Sequence, residues 1–363
     1  MPGRTAFILG GTGQIGLAVA EAFLAAGWCV TATHRGSRPV PGGLSERGAR
    51  TVLLDRDRPG ALASALGSGA DVLVDTTAYD RDHGSQLIAV QGSIGRVVVV
   101  SSASVYRDDG GRTLDEAMQS GFPDLPDPIA ETHPTVDPGP GTYSTRKVAL
   151  ERSLLDGAAV PVTVLRPCAV HGAYSRHPRE WWVVKRVLDG RPTIPLAYEG
   201  ASRFQTTAAA NVAAVALAAA AAGGSQVLNV ADPDTPTVAE MATAIARHLG
   251  YRGEILGIDD PSYPPSIGRT PWSVPRPFVV SGDAARRTGY APATSYADAV
   301  GTVCDDLVSE AGNGPWQDRY PVLAAYPRNL FDYAAEDAVL SSRYGLAESD
   351  FGRLACQPSG REA

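Results

Sequence analysis

The feature that most constrains this chain is a glycine-rich turn near its N-terminus, which reads Gly10-Gly11-Thr12-Gly13-Gln14-Ile15-Gly16. The turn follows an apolar run at 5–9, which predicts a strand, and precedes a helical pattern at 15–26. Glycine lets a backbone turn tightly and approach a pyrophosphate, whose charge the free amides of a helix N-terminus attract. We therefore predict a dinucleotide site with contacts from Gly10, Thr12, Gly13, Gln14, Ile15 and Gly16. The alternative is a turn that serves only the packing of helix against strand.

Short β-rich runs alternate with helical patterns through the first half of the chain, an order typical of βαβ units and a parallel sheet. The predicted strands lie at 5–9, 29–33, 50–54, 72–76, 96–100, 162–165 and 227–230. The predicted helices lie at 15–26, 60–66, 85–93, 142–155, 181–189, 211–222, 237–249 and 295–307, and 108–141 reads as a long loop. We expect an α/β fold, a Rossmann doubly wound parallel sheet with a smaller C-terminal α/β substrate-binding part. The expected boundaries are 1–170 for the dinucleotide-binding domain and 171–363 for the remainder, with segments near 205–232 returning to the first domain.

Composition excludes several classes of protein. The net charge is −7 and no long basic run appears, which argues against a nucleic-acid partner. The four cysteines are far apart and form no cluster with histidine, so we expect no metal site. The uncharged stretch 204–231 is mostly alanine, which predicts a buried helix rather than a membrane anchor. We expect a cytoplasmic protein that binds a small-molecule substrate and no membrane.

The end of the second predicted strand indicates which dinucleotide binds. An acidic residue there would accept hydrogen bonds from the ribose of NAD, but this chain has His34-Arg35-Gly36-Ser37-Arg38. Guanidinium groups pair with phosphate in a two-pronged way, which favours the 2′-phosphate of NADP over NAD(H). We predict contacts from His34, Arg35, Ser37 and Arg38, the alternative being solvated loop charges. Asp55 is the predicted partner of the adenine amino group, unless it only caps a turn.

A second group of residues carries chemistry. Tyr143 and Lys147 are spaced to lie one turn apart on one helical face, where an ammonium, together with the positive ring of the cofactor, would lower the phenol pKa from its usual value of about 10. Ser101-Ser102-Ala103-Ser104-Val105-Tyr106 follows the fifth strand, at the sheet edge where ligands bind. A serine hydroxyl there can hydrogen-bond a substrate oxygen. The alternatives are surface residues on a helix and serines that cap a turn.

These motifs together resemble the extended short-chain dehydrogenase/reductase superfamily, the branch of nucleotide-sugar epimerases, dehydratases and ketoreductases. Leu165-Arg166-Pro167 through Val170-His171-Gly172 resembles a further strand end of that branch. The resemblance implies that Tyr143 is the acid/base, with Ser102 and Lys147 as its catalytic partners. It adds to the expected cofactor contacts Arg56, Thr76, Thr77, Ala78, Ser101, Tyr143, Lys147, Pro167 and Val170.

The positions at which this sequence differs from that branch favour some of its reactions over others. Its 4,6-dehydratases follow the active serine or threonine with Asp-Glu, where this chain has Ala103-Ser104, so dehydration is disfavoured. The NADP-type loop favours net reduction. We expect an NADP(H)-dependent oxidoreductase that transfers hydride between nicotinamide and a carbonyl or carbinol of a sugar-like or nucleotide-sugar substrate. The alternatives are a sugar epimerase, with a second acid/base from Ser104, His171 or His177, and a catalytically idle NADP-binding regulatory protein.

Other expectations concern the substrate and the assembly. Residues 108–127 look like an insertion near the substrate, and Asn211 stands where the family has aspartate. Because relatives often dimerise through two helices, 142–155 is the candidate helix for a homodimer. The candidate substrate contacts are Tyr79, Ser104, His171, Tyr174 and Arg203, with Trp181 and Trp182 near them.

Overall fold

The computed structural model describes residues 3–37, 40, 43–260, 263–264 and 266–344. These residues form two compact units. The first unit contains the chain up to Tyr174, with Gln205–Asp234 and Phe278–Ser295. The second unit contains Ser175–Phe204, Thr235–Pro277 and the chain from Tyr296 onward.

The strands of the described residues alternate with helices as far as the middle of the chain. They are β1 Thr5–Leu9, β2 Cys29–His34, β3 Arg50–Leu53, β4 Val72–Asp75, β5 Val97–Val100, β6 Val162–Pro167, β7 Ala169–His171, β8 Thr193–Ala197, β9 Thr206–Ala208, β10 Gln226–Val230 and β11 Glu254–Ile258. The helices are α1 Gln14–Ala25, α2 Ala61–Leu66, α3 Arg81–Ala89, α4 Ala117–Ser120, α5 Tyr143–Gly157, α6 Trp181–Leu188, α7 Ala209–Ala219, α8 Val238–His248, α9 Asp283–Arg287, α10 Tyr296–Glu310, α11 Trp316–Arg319, α12 Pro321–Ala324 and α13 Tyr333–Tyr344. Short 3-10 turns lie at Gln91–Ser93, Ala103–Val105 and Tyr198–Gly200.

A seven-stranded parallel sheet forms the centre of the first unit, in the order β10-β6-β5-β4-β1-β2-β3. The order reverses between β1 and β4, and ligands bind at such a point in doubly wound folds. Strand β1 pairs in register with both neighbours, Ala6 opposite Val30 and Val72. The predicted Rossmann fold is therefore confirmed.

The two faces of the sheet carry separate apolar cores. Ala6 and Ile8 of β1 face α1 and α7, whereas Phe7 and Leu9 belong to the core formed with α2, α3 and α5. The same alternation holds along β5, because successive side chains of a strand point to opposite faces. Both sets are buried, which explains why these strands are apolar throughout.

The alanine-rich stretch forms the buried helix that its composition predicts. Helix α7 packs against α1, and small side chains let the two backbones approach closely. The predicted bounds of 211–222 are displaced, because α7 begins at Ala209 and ends at Ala219. Within the described part of the chain, every helix is too short or too polar to cross a lipid bilayer.

Some sequence-based expectations about local structure are wrong. The stretch 108–141 contains α4, and Tyr106 and Thr135 form an antiparallel bridge at its base. The helix expected at 85–93 begins earlier, because the Asp80 carboxylate accepts a hydrogen bond from the His83 amide and caps α3. Strands β7 and β9 pair with each other in the first unit, and neither is predicted.

The second unit is built around α6, α8 and α10, which pack on one another. Strands β8 and β11 form a separate parallel pair. Helix α8 begins with a capping box, in which Thr237 and Glu240 exchange hydrogen bonds with each other's amides. Helix α13 is joined to α6 by a buried ion pair between Arg186 and Glu336.

Candidate active site

The glycine-rich turn has the geometry that a pyrophosphate requires. Gly10 has φ of 77°, and a Cβ there would lie 2.3 Å from Cγ2 of Thr77. A Cβ on Gly16 would lie 2.1 Å from the carbonyl oxygen of Gly10, so neither position admits a side chain. Helix α1 begins after Gly13 with no side-chain cap, which leaves amides of its first turn available to an anion. The turn therefore fits a dinucleotide.

Lys147 is buried at the carboxyl ends of β4 and β5. Its ammonium donates hydrogen bonds to the carbonyl oxygens of Ala78, at 2.7 Å, and Val100, at 3.0 Å. Burial lowers the Lys147 pKa to about 8, against the raising effect of nearby carboxylates, of which Asp75 is the strongest. The Nζ atom lies 5.6 Å from the ring centroid of Tyr143. The first turn of α5 thus brings both predicted residues to the sheet edge.

Tyr143 is 39% exposed and its ring packs against Tyr79, with 5.6 Å between centroids. Burial raises the Tyr143 pKa to about 12, a hydrogen bond with Ser102 opposes that rise, and Tyr79 and Asp115 add to it. Lys147 is not among the groups that lower the Tyr143 pKa in this arrangement, and the lowering expected from the positive ring of the cofactor stays a prediction. The ammonium lies over the ring face and is directed to two backbone carbonyls. Tyr143 is a neutral phenol at physiological pH.

The serines after β5 divide their roles. Ser102 accepts a hydrogen bond from the Ser104 amide at 3.1 Å and caps a 3-10 turn, in addition to its contact with Tyr143. Ser104 is linked to α5, because the Ser144 hydroxyl donates to its carbonyl oxygen at 2.9 Å. Ser101 faces inward and donates to the buried Glu151. Of the three, Ser102 is joined directly to the acid/base candidate.

The loop after β4 is organised by a residue that sequence reasoning misses. Asp75 is fully buried and accepts hydrogen bonds from the amides of Thr77 and Ala78, both at 2.8 Å. Its other oxygen pairs with Arg56 at 2.6 Å. The Arg56 guanidinium is therefore held inside the fold by Asp75. An aspartate that ends an apolar strand is the signal that could have identified it.

The residues after β2 lie beside an open groove of about 890 Å³, whose lining includes Arg35, Ser37 and Arg58. Arg35 and Ser37 are exposed, whereas the ring of His34 accepts a hydrogen bond from the Gly36 amide. Arg38 lies outside the described residues.

Asp55, which also lines this groove, caps a turn. It accepts from the Asp57 amide at 3.2 Å and pairs with Arg58 at 3.3 Å. The turn-capping alternative is thus observed for Asp55.

His171 forms part of a buried polar cluster. It is 3% exposed and its Nε2 lies 2.7 Å from a carboxylate oxygen of Asp232. Pro167 and Val170 flank it on β6 and β7, and the Gln14 side chain donates to the Gly172 carbonyl at 3.1 Å. This burial favours a structural role for His171 over direct contact with a substrate.

The remaining candidates are distributed between the two units. Thr12, Ile15 and Thr76 lie with the glycine turn in the first unit, together with Tyr174, which is 53% exposed. Arg203, His177, Trp181 and Trp182 belong to the second unit.

In the second unit, His177 lies 3.0 Å from the Tyr326 hydroxyl. Burial and the neighbouring Arg179 lower the His177 pKa to about 3, which keeps the imidazole neutral. Trp181 and Trp182 are 3% and 1% exposed, so both are core residues rather than pocket walls.

The stretch after Tyr106 supplies one more group at the site. The carboxylate of Asp115 accepts a hydrogen bond of 2.8 Å from the amide of Ser144, the residue after Tyr143. Sequence reasoning does not single out Asp115, because the contact spans 29 positions. The described residues contain no group of three or more histidine, cysteine or acidic side chains arranged to hold a metal ion.

Comparisons with known proteins identify the family of this chain. Residues 6–231 match the model of the NAD dependent epimerase/dehydratase family. The 2'-dehydrokanamycin reductase of Streptomyces kanamyceticus is 32% identical over 98 residues, and this match spans 27% of either chain, about a quarter of the relative's length.

Solved structures share the fold over most of the chain. A UDP-galactose 4-epimerase is 18% identical, with a TM-score of 0.61, and the match covers 85% of this chain and 99% of that one. A UDP-N-acetylglucosamine 4-epimerase from Methanobrevibacter ruminantium M1 is 15% identical, with a TM-score of 0.64 and coverages of 85% and 100%. The dTDP-glucose 4,6-dehydratase of Bacillus anthracis, solved with NAD, is 17% identical, with a TM-score of 0.63 and coverages of 85% and 98%.

Proposed function

The chain belongs to the NAD dependent epimerase/dehydratase family, and we propose that it is a reductase of a carbonyl group on a sugar-like molecule, with NADP(H) as its cofactor. The observation that carries the proposal is the meeting of Ser102, Tyr143 and Lys147 at the ends of β4 and β5. All three belong to the same unit as the glycine turn.

The roles of these residues follow from their contacts. The glycine turn and the first turn of α1 would hold the pyrophosphate of the cofactor, and Lys147 would hold its nicotinamide ribose. The bound cofactor supplies or accepts the hydride. Ser102 orients the substrate oxygen, and Tyr143 gives it a proton. A neutral phenol suits this direction, because the oxygen must receive a proton when the carbonyl is reduced.

Elimination chemistry has less support. A dehydratase of this family would carry an acidic pair after the active serine. Here the buried Ala103 and the Ser104 hydroxyl occupy those positions, in a 3-10 turn. Neither side chain can take a proton from carbon at neutral pH.

The preference for NADP rests on Arg35 and Ser37, which lie exposed beside the groove at the ends of β2 and β3. Fluorescence titration with NADPH and NADH tests it. We expect the unaltered protein to bind NADPH more tightly than NADH. Arg35→Ala should weaken the binding of NADPH by about tenfold, because one charge-assisted contact is lost, and should have little effect on the binding of NADH. Arg47→Ala is the matched control, because Arg47 already pairs with Glu21. Tighter binding of NADH by the unaltered protein would refute the NADP assignment.

The substrate class is addressed by a panel of ketones. The relative is named as a reductase of 2'-dehydrokanamycin, and the structural neighbours are named for nucleotide sugars. We expect a keto sugar from one of these classes to oxidise NADPH, and the loss of NADPH absorbance measures the reaction. Tyr143→Phe should reduce turnover by about 10²–10⁴-fold while NADPH binding persists. Full activity of that variant on the same ketone would contradict the mechanism.

The second candidate is a sugar epimerase, which the family model and the structural neighbours favour. An epimerase returns the hydride to its substrate and consumes no cofactor. Proton NMR of a sugar incubated with the protein and catalytic amounts of NAD distinguishes the two. Inversion at one carbon without net cofactor turnover supports the epimerase, and stoichiometric formation of an alcohol from a ketone supports the reductase.

A further inference from the structure

The stretch 108–124 is a folded loop with a closed base. Asp108 is 2% exposed and its carboxylate holds both ends of the loop. It accepts hydrogen bonds from the Asp124 amide at 3.0 Å and from the amide and guanidinium of Arg112 at 2.9 and 2.8 Å. The loop therefore presents its inner residues in a defined position.

Within the loop, the buried Thr113 orients the next acidic residues. Its hydroxyl oxygen accepts from the Asp115 amide at 3.1 Å and donates to the Glu116 carboxylate at 2.6 Å. This local turn directs the Asp115 carboxylate to the Ser144 amide, 2.8 Å away. Glu116 is thus held by Thr113, and Asp115 reaches α5.

Helix α5 has its own cap, so Asp115 is an addition to it. Thr142 and Thr145 form a reciprocal capping box, which satisfies the amides of both residues. Ser144 follows Tyr143, and its hydroxyl is already joined to Ser104. Asp115 binds the amide of this same residue and places a negative charge at the positive end of the helix. The first turn of α5 is therefore held from two sides.

The groups around Tyr143 come from several elements. Tyr79 follows β4, Ser102 follows β5, Lys147 lies one turn along α5, and Asp115 comes from the loop. Arg146 contacts Tyr79, and its guanidinium lies 5.5 Å from the Tyr79 ring centroid. Burial is the largest cause that raises the Tyr143 pKa, Tyr79 and Asp115 raise it further, and the hydrogen bond with Ser102 lowers it.

We propose that Asp115 is a positioning residue for the acid/base tyrosine. From the loop 108–124 it fixes the first turn of α5 and places a negative charge beside Tyr143, which keeps the phenol protonated for delivery to the substrate oxygen. The inference rests on the proposed function only in taking Tyr143 as the acid/base. A purely structural cap would need the hydrogen bond to Ser144 but not the charge.

Asp115→Asn separates the charge from the cap, because an amide oxygen can still accept from the Ser144 amide. The protein is labelled throughout with 3-fluorotyrosine, whose phenol ionises at lower pH than tyrosine, and titrated by ¹⁹F NMR. Tyr143→Phe identifies the resonance of position 143. Asp109→Asn is the matched control, because Asp109 is an exposed acid of the same loop.

We expect the titration midpoint of position 143 to fall by about 0.5–1 pH unit in Asp115→Asn, as for one partly solvated charge, and to stay unchanged in Asp109→Asn. An unchanged midpoint in folded Asp115→Asn overturns the proposal. If that variant does not fold, Asp115→Glu and Asp115→Gln, which differ only in charge, are compared instead, and equal midpoints overturn it.

The titration requires no substrate, so its outcome is separate from the test of the proposed reaction. If the protein proves not to be a reductase, a shifted titration midpoint of position 143 would still show the effect of the Asp115 charge. Where a ketone substrate is in hand, the falling alkaline limb of the reduction rate should move to lower pH in Asp115→Asn, because the proton donor is lost earlier.

Discussion

Asn211 donates a hydrogen bond of 2.8 Å from its side-chain amide to the carboxylate of Asp232. The same carboxylate pairs with His171 and accepts from the amide of Ala208. The carbonyl oxygen of Asn211 accepts from the amide of Ala293 at 2.7 Å. The side-chain amide of Asn211 therefore donates to a carboxylate on one side and accepts from a backbone amide on the other. An aspartate, which is usual in the family at this position, could not donate to Asp232 when ionised.

Replacement of Asn211 by aspartate should destabilise the first unit. It would place two carboxylates in contact at a site where Asn211 is fully buried. We expect Asn211→Asp to lower the free energy of unfolding by about 2–4 kcal/mol, measured by urea denaturation at neutral pH. Adding Asp232→Asn should recover part of the loss. Equal stability of Asn211→Asp and the unaltered protein would show that the hydrogen bond from the Asn211 amide to the Asp232 carboxylate does not stabilise the fold.

Gly13 and Gly16 should respond differently to alanine. A Cβ on Gly16 meets the Gly10 carbonyl oxygen at 2.1 Å, whereas one on Gly13 meets the same atom at 3.4 Å. Gly16→Ala should therefore destabilise the fold by about 2 kcal/mol or more. Gly13→Ala should leave the melting temperature nearly unchanged yet weaken NADPH binding by about tenfold or more, because Gly13 is exposed at the start of α1. Unimpaired binding by Gly13→Ala would show that the cofactor lies elsewhere.

Lys147→Met tests the buried ammonium. The change leaves the carbonyl oxygens of Ala78 and Val100 without their donor. We expect a loss of stability of about 1–3 kcal/mol and a fall in turnover of about 10²-fold or more. Arg152→Met, at an exposed position of the same helix, is the control and should keep turnover within about threefold. Turnover in Lys147→Met equal to that of the control would remove Lys147 from the mechanism.

The sequence predicts the sheet well, because burial on both faces makes its strands apolar. All seven strands are placed within two residues of their observed ends. The family expectation is confirmed by the match over residues 6–231. Strands β7, β8, β9 and β11 are all missed, and each pairs with a strand that lies far along the chain. Such strands depend on tertiary pairing, which local periodicity does not show, and β7 and β9 have only three residues each.

The site also contains residues that the sequence predicts and residues that it does not. Ser102, Tyr143 and Lys147 belong to spaced motifs, and the structure brings them together. Asp75 and Asp115 carry no motif, and their roles depend on contacts formed only when distant segments meet. The direction of the Tyr143 pKa shift is also beyond sequence reasoning, since it depends on burial and on where the Lys147 ammonium points.

Acid should open the loop 108–124 before it unfolds the unit. Burial raises the Asp108 pKa, but hydrogen bonds from the Asp124 and Arg112 amides and from the Arg112 guanidinium outweigh it and bring the pKa to about 2. A carboxylate with a depressed pKa stabilises the folded state above its unfolded pKa, and that stabilisation is lost as pH falls towards 2. We expect hydrogen exchange of the loop amides, relative to the sheet, to rise below about pH 4. Asp108→Asn should show this opening at neutral pH, and an acid-insensitive loop would contradict the assignment.

The ion pair of Arg186 and Glu336 should be strongly coupled. Both side chains are at least 97% buried, and the Arg186 guanidinium also lies 3.4 Å from the Trp182 ring centroid. Removal of one partner leaves a buried charge, so Arg186→Met and Glu336→Met should each cost about 3–5 kcal/mol in chemical denaturation. The double variant should cost less than their sum by about 1–3 kcal/mol. Lys185→Ala is the control, since its pair with Asp189 is partly exposed and should contribute under about 1 kcal/mol. Strict additivity of the two methionine variants would show that the pair does not join α13 to α6.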